Sequence, residues 1–164
     1  MRGPDALAPY EAALARVDGV VRDVLDVGTG TGAGARALAR HFANATITGI
    51  DVAPAMVEEA RRLLPPDVTD RVAFRIGDAA KLPFEAATFD LVAHANMIPF
   101  LDEVARVLRP GGWTLFAFSS GPETPIYAPP ERLRRELERR GFTDFAEIAA
   151  GRGSAVLARR GNRH

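Results

Sequence analysis

The sequence predicts a doubly wound α/β fold, a mostly parallel sheet of about seven strands with an antiparallel C-terminal strand. Three observations predict it. Short apolar runs alternate with segments of helical periodicity, an order typical of a parallel sheet covered on both faces. A glycine-rich turn at residues 28–32 joins the first apolar run to the helix that follows it. Near the C-terminus, the link Gly151-Arg152-Gly153 separates two further runs and indicates a hairpin, and hence an antiparallel pair.

Strands and helices are expected to alternate after a short N-terminal helix near residues 5–18. The predicted strands are 23–27, 46–51, 71–78, 89–95, 113–119, 142–149 and 154–159, and the predicted helices are 33–43, 54–64, 99–108 and an arginine-rich helix that ends at Gly141. Pro54 suits the first turn of a helix, and Pro110-Gly111-Gly112 is expected to separate the helix at 99–108 from the fifth strand. In the third strand, Val72, Phe74 and Ile76 are expected to point inward.

Length and composition indicate one ordinary globular domain. We expect it to span residues 1–160 and to be followed by a frayed basic tail at 161–164. The formal net charge of zero argues against a field that recruits nucleic acid or an anionic membrane. The chain has no cysteine, which excludes disulfides and cysteine metal sites, and no signal-peptide pattern or run of roughly 18 apolar residues. The expectation is a cytoplasmic protein with no metal, nucleic-acid or membrane partner.

The segment VLDVGTGTG at residues 24–32 is the most informative part of the chain. It reads as an apolar strand followed by alternating glycines, which let the backbone turn sharply and lie against a ligand. Asp51 ends the next predicted strand, 19 residues after Gly32, where an acid usually holds a ribose diol. Together these features predict an adenosine-containing cofactor over the carboxyl ends of a parallel sheet.

Taken alone, the glycine run leaves two classes of cofactor open. Residues 28–33, GTGTGA, also satisfy the dinucleotide pattern G-x-G-x-x-G/A. Asp26, however, precedes the first glycine by two residues, where its carboxylate would repel a pyrophosphate and suit a ligand with an ammonium group. Asp78 adds an acid at the tip of a third strand. These acids favour an adenosine cofactor that carries an ammonium group.

Five stretches, in this order, resemble the motifs of class I S-adenosylmethionine-dependent methyltransferases, in particular the minimal Rossmann-like enzymes that act on small molecules. They are VLDVGTGTG at 24–32, TGIDVAPAM at 48–56, FRIGDAAKLPF at 74–84, FDLV at 89–92 and EVARVLRPGG at 103–112. The resemblance runs from about residue 20 to the end of the chain. It implies S-adenosylmethionine as cofactor and methyl transfer to a small or medium organic acceptor, mainly by proximity and alignment.

The resemblance also assigns roles in holding the methionine and ribose parts of the cofactor. The loop formed by Gly28, Thr29, Gly30 and Gly32 would lie under the methionine moiety, with Asp26 near the amino group through the loop or a water. Asp51, at the end of the second strand, would accept both ribose hydroxyls, because a carboxylate can accept two donors at once.

A second group of residues is implied to hold adenine. Val52 and Met56 would pack on the ring, and Asp78 would accept its exocyclic amine beside the N–H of Ala79. A structural role of Asp51 as the N-cap of the helix that begins at Pro54 would coexist with ribose binding, whereas the alternative for Asp78 is that it is only a turn residue at a strand end.

The tip of the fourth strand is implied to line the methyl-transfer site, with His94 and Ala95 beside the cofactor and Asn96 after them. His94 is a candidate general base, because the ordinary pKa of histidine lies near neutrality. The alternative is that it contacts the cofactor through its backbone alone. Other charged residues are expected to be structural or on the surface, namely Asp90, Arg106 and Arg109.

The chain departs from the family in having little beside the cofactor-binding core. About 23 residues precede the glycine motif, and the only candidate lid is the proline-rich segment 119–130. We therefore expect either an open site for a bulky or partner-presented substrate, or closure by a second copy or partner subunit. The apolar run at 97–100, together with Ile126 and Tyr127, either lines an acceptor pocket or belongs to the core.

Two other functions compete with a methyltransferase. A nicotinamide-dependent dehydrogenase is disfavoured, because neither Tyr10 nor Tyr127 has a lysine four residues later. A non-catalytic cofactor-binding subunit is compatible with the missing lid. Nucleic-acid methylation is disfavoured by the neutral charge and by NMIP at residues 96–99, where a Pro-Pro-aromatic run would be expected.

Overall fold

The computed structural model describes residues 7–97, 99–119 and 127–162. Within them, helices and strands alternate as predicted. The elements in chain order are α1 (Ala8–Leu14), β1 (Asp23–Val27), α2 (Ala33–His41), β2 (Thr46–Asp51), α3 (Pro54–Arg62), β3 (Val72–Ile76), β4 (Phe89–Ala95), α4 (Leu101–Val107), β5 (Leu108–Phe118), α5 (Pro130–Glu138), β6 (Phe142–Ala150) and β7 (Gly153–Arg160), with a 3-10 turn at Pro66–Val68. None of the described helices is long and apolar enough to cross a bilayer.

The strands form one seven-stranded sheet in the order β3-β2-β1-β4-β5-β7-β6. β1 to β5 pair in parallel, whereas β7 is antiparallel to both β5 and β6. The predicted fold class is thereby confirmed. Since parallel strands end at the same edge, the register brings Val27 beside both Ile50 and His94, and Asp51 beside Ile76. This edge carries the residues predicted to bind a ligand.

Helices cover both faces of the sheet. Residues of α1, α2 and α3 form one apolar cluster with the sheet, and residues of α4 and α5 form a second cluster on the other face. Adjacent residues of β1 point to opposite faces, because side chains alternate along a strand. Val24 packs in the first cluster and Leu25 in the second. Asp26 therefore faces α1 and α2.

The structure corrects two expectations about element bounds and burial. β5 begins at Leu108, so Pro110-Gly111-Gly112 lies within the strand and does not precede it. The β4–β5 pairing shifts between Phe89↔Leu108 and Leu91↔Trp113, and the irregularity accommodates these residues. Ile76 is 52% exposed and does not point into the core. It is the last residue of edge strand β3, where a neighbouring strand lies on one side only.

Candidate active site

A cleft of about 290 Å³ opens at the carboxyl edge of the sheet. It lies among the ends of β1 and β2, the loop after β3 and the segment after β4. Its lining residues are Val27, Gly28, Ile50, Asp51, Val52, Gly77, Asp78, Ala79, Met97 and Phe100. The structure thus brings together side chains from three of the predicted motifs, which are far apart in sequence.

The glycine loop after β1 requires glycine for two reasons. Gly28, Gly30 and Gly32 have φ values of +69°, +55° and +88°, in the left-handed region that other residues rarely adopt. A Cβ on Gly28 would lie 2.8 Å from the sulfur of Met97, and one on Gly32 would lie 2.9 Å from Cζ of Phe74. The loop therefore combines a turn with a close approach, and Gly32 leads directly into α2.

Asp51 is fixed at the edge of the cleft by two backbone donors. Its Oδ2 accepts from the N–H of Gly30 at 2.9 Å, and its Oδ1 accepts from the N–H of Ala53 at 3.0 Å. A carboxylate oxygen has two lone pairs, so each oxygen can accept a further hydrogen bond. The alternative that Asp51 is the N-cap of α3 is wrong, because Ala53 occupies that position.

Asp26 lies behind the glycine loop, outside the lining of the cleft. Its buried carboxylate accepts from the hydroxyl of Tyr10 at 2.8 Å and from the hydroxyl of Thr29 at 2.7 Å. Burial raises the pKa of Asp26 to about 6, although both hydroxyls act in the opposite direction. The N–H of Thr29 donates to the carbonyl of Ile50, so both the backbone N–H and the hydroxyl of Thr29 bond to other groups of the protein. Asp26 and Thr29 therefore shape the loop from behind.

The region predicted to hold adenine is apolar and open. Val52 is 65% exposed and lines the cleft, whereas Met56 is 40% exposed on α3 and is not among the lining residues. Asp78 occupies a turn, with its Oδ1 accepting from the N–H of Ala80 at 2.9 Å. Because Asp78 and Ala79 also line the cleft, the turn interpretation and a ligand-binding role coexist.

A clamp from α4, which the sequence interpretation missed, holds the loop after β3. The guanidinium of Arg106 donates to the carbonyls of Leu82 at 3.0 Å and Phe84 at 2.7 Å. Glu103 accepts from the N–H of Leu82 at 2.7 Å and from Arg106, whose hydrogen bond holds the pKa of Glu103 below its usual range. Arg106 is therefore more than a surface charge. The signal was the Glu103-x-x-Arg106 spacing, which places both side chains on one helix face.

Asp90 has the structural role that the sequence predicted. Its Oδ2 accepts from the N–H groups of Arg22 at 2.9 Å and Asp23 at 3.0 Å, at the amino end of β1. Arg109 contacts both Asp23 and Asp90 at 3.0 Å, so it is part of an ion-pair network. Burial opposes ionisation of Asp90, but the two N–H groups and Arg109 hold its pKa below the usual range.

His94 is buried and does not line the cleft; it lines an adjoining gap too small for a water molecule, together with Val27, Met97 and Phe100. Its ring stacks on Phe116 with centroids 4.1 Å apart, and its Nδ1 lies 3.0 Å from the carbonyl oxygen of Leu115. Because a carbonyl only accepts, Nδ1 is assigned the proton and Nε2 the lone pair. Burial lowers the pKa of His94 to about 4. The side chain is thus neutral at pH 7, and this environment disfavours the general-base interpretation.

The segment after β4 is held in an unusual conformation. Asn96 has φ +53°, and its Oδ1 accepts from the N–H of Ser119 at 2.8 Å and from the Ser119 hydroxyl at 3.1 Å. Such backbone conformations concentrate at functional sites. The contact joins the tips of β4 and β5, while Ala95, the last residue of β4, packs on the α1 side of the sheet.

The residues proposed for an acceptor pocket separate into two groups. Met97 and Phe100 line the cleft, and Phe100 is 42% exposed. Tyr127 packs edge-on against Phe118, with ring centroids 5.4 Å apart, and so belongs to the core side. Several predictions lie outside the described residues: those for residues 1–6, Ile98, 120–126 including Ile126, and 163–164. In the part of the chain that the structure describes, no group of three or more His, Cys, Asp or Glu side chains could hold a metal.

Comparison with known proteins identifies the family. A family model described as a methyltransferase domain matches residues 24–112. The fatty-acid O-methyltransferase of Mycolicibacterium smegmatis is 40% identical over 114 residues, which are 65% of this chain and 40% of that protein. The demethylmenaquinone methyltransferase of Tropheryma whipplei is 36% identical over 132 residues, 73% of this chain and 53% of that protein. The chain therefore spans about half the length of these relatives, or less.

Solved structures agree with this assignment at the level of the fold. A complex between the Trm112 methyltransferase activator of Haloferax volcanii and a methyltransferase gives a TM-score of 0.81 at 23% identity, covering 98% of this chain and 91% of that chain. The architecture is shared by an S-adenosylmethionine-dependent methyltransferase from Aquifex aeolicus and by human N-acetylserotonin methyltransferase, which was solved with S-adenosylmethionine. Since the matched residues 24–112 exceed half of its 164 residues, the chain belongs to the methyltransferase-domain family.

Proposed function

We propose that this protein is an S-adenosylmethionine-dependent methyltransferase that acts on an apolar organic acceptor of small or medium size. The observation that carries the proposal is Asp51. Its carboxylate is oriented by the N–H groups of Gly30 and Ala53, so that it can still accept two hydroxyl donors at the cleft edge. A ribose diol supplies that pair of donors.

The other residues of the cleft fit the rest of this cofactor. Gly30 in the loop faces open space, since a Cβ there would meet no atom within 4 Å, and this space can accept the methionine moiety. Exposed Val52 offers an apolar surface to adenine, and the carboxylate of Asp78 offers an acceptor to its amine. The cleft volume of about 290 Å³ lies near the lower end of the roughly 300–1,000 Å³ typical of small-molecule sites.

When bound, S-adenosylmethionine supplies a methyl group already activated by its sulfonium charge. The chain then has to bind the cofactor and the acceptor, orient them toward each other and exclude water from between them. Asp51 and the glycine loop fix the donor, and the Asn96–Ser119 contact fixes the wall beside it.

The apolar class of acceptor is supported by the cleft wall formed by Met97 and Phe100. The names of the relatives agree with it, since one is a fatty-acid O-methyltransferase and the other a demethylmenaquinone methyltransferase. An acceptor that presents a polar group on an apolar body would bury that body against these side chains, at roughly 25 cal/mol per Å² of apolar surface.

Calorimetry with three ligands tests the proposed function. We expect micromolar binding of S-adenosylmethionine and S-adenosylhomocysteine and weak binding of NAD, because Asp26 behind the glycine loop and Asp78 in the cleft place negative charge near a bound pyrophosphate. Saturable NAD binding with no response to the sulfonium cofactor would support a dehydrogenase. Cofactor binding without methyl transfer to long-chain acids, phenols or quinols would instead support the non-catalytic subunit.

We further propose that a second copy or a partner protein covers the mouth of the cleft. Phe100 and Val52 leave an apolar rim exposed, and one structure of the same fold was solved as a complex of a methyltransferase with the Trm112 activator. Light scattering and hydrogen exchange are expected to show self-association or partner binding, with protection around residues 96–101. A monomer that is fully active on a small acceptor, without such protection, would show that no cover is needed.

A further inference from the structure

A buried polar network joins the N-terminal helix to the glycine loop. Tyr10 on α1 is completely buried, and its hydroxyl donates to Oδ1 of Asp26 at 2.8 Å. Thr29, within the loop, donates to Oδ2 of the same carboxylate at 2.7 Å. Each carboxylate oxygen therefore has a hydroxyl donor, one from α1 and one from the loop. This network connects two segments that the sheet does not connect directly.

The network fits into a space that a glycine leaves free. A Cβ on Gly34, in the first turn of α2, would lie 3.0 Å from both Oδ1 of Asp26 and the hydroxyl oxygen of Tyr10. The carboxylate is thus packed beside the start of α2, where the helix dipole favours a negative charge. It lies outside the lining of the cleft and is tied to the glycine loop by the hydroxyl of Thr29.

We propose that Tyr10 is a positioning residue of the cofactor site: its hydroxyl keeps the Asp26 carboxylate charged and in place behind the glycine loop. Docking of α1 is thereby coupled to cofactor affinity. The inference rests on the proposed binding of S-adenosylmethionine, whose ammonium and sulfonium groups are attracted by a negative charge at this position.

The groups that act on Asp26 determine the sign of the expected pH dependence. Burial raises its pKa, the hydroxyls of Thr29 and Tyr10 lower it, and the charge of Asp51 raises it. On α2, Arg36 donates to a carbonyl of the loop, at residue 31. Loss of the Tyr10 hydroxyl removes one donor to the ionised form and so raises the pKa of Asp26 further. In the variant without this hydroxyl, affinity for a cationic cofactor should then rise with pH over a higher pH range than in the wild type.

The experiment is calorimetric titration with S-adenosylmethionine from pH 5.5 to 8.5, in the wild type, Tyr10→Phe and a control. Thr114→Val is the matched control, because Thr114 is a fully buried hydroxyl that donates to the carbonyl of Val92, away from the loop. We expect Tyr10→Phe to bind roughly three- to tenfold more weakly at pH 7 and to approach the wild type at high pH. Thr114→Val should keep the wild-type pH profile.

Each outcome has one meaning. An unchanged pH profile in Tyr10→Phe, or an equal shift in Thr114→Val, overturns the coupling. If Tyr10→Phe fails to fold, Thr29→Val removes the other hydroxyl donor and must shift the profile in the same direction, otherwise the coupling is overturned. A wild type that binds no S-adenosylmethionine at any pH overturns the proposed function itself, which is a different result from binding without a shift.

Discussion

Replacing Asp51 with alanine is expected to weaken binding of S-adenosylmethionine by about 1.5–3 kcal/mol, or roughly ten- to a hundredfold. The change removes the acceptor for the ribose diol and leaves the N–H groups of Gly30 and Ala53 without their carboxylate. Calorimetry measures the loss, and circular dichroism verifies that the variant folds. Asp67→Ala, at an exposed turn remote from the cleft, is the control and should bind normally.

A ligand lacking one hydroxyl separates the diol contact from a general effect on the loop. The wild type should bind the 2′-deoxy analogue of S-adenosylhomocysteine more weakly than the parent compound. In Asp51→Ala this preference should disappear, because the partner of the hydroxyl is gone. If the preference persists in the folded variant, the ribose is held by another group.

Replacing Asp26 with asparagine is expected to change how the free energy of unfolding depends on pH. Burial raises the pKa of Asp26 from an ordinary value of 3.8 to about 6. Between these values the native state binds more protons than the unfolded state, so stability falls as pH rises through this range. Asparagine does not titrate. Relative to the wild type, the variant should therefore gain roughly 2–3 kcal/mol between pH 4 and pH 7.

Urea unfolding of both proteins at intervals from pH 4 to pH 8 measures this difference. Asp18→Asn, which makes the same exchange at an exposed residue, provides the baseline. A difference between wild type and Asp26→Asn that stays constant with pH, or that moves in the opposite direction, contradicts the assignment of a raised pKa to Asp26. The same measurement tests the network on which the role of Tyr10 depends.

Much of the fold follows from local patterns. The bounds of β1, β2 and β4 agree residue for residue with the prediction, because the buried apolar runs there end at turn-forming residues, namely Gly28, Asp51 and Asn96. The predicted start of β5 at residue 113 was wrong. Leu108 extends the strand by pairing with Phe89, a partner that helical periodicity does not reveal. The prediction that Ile76 points inward was wrong for a similar reason, because its position on an edge strand depends on the order of the strands in the sheet.

The sequence by itself determined which residues stand at the tips of the parallel strands, and therefore that glycines and acids meet at one edge. It did not determine where their side chains point. Asp26 turns toward Tyr10, and Arg106 reaches back to Leu82 and Phe84. His94 is buried on Phe116. These partners lie 16 to 24 residues away along the chain, and only packing of the layers brings them together, because burial and hydrogen-bond satisfaction depend on neighbours in space.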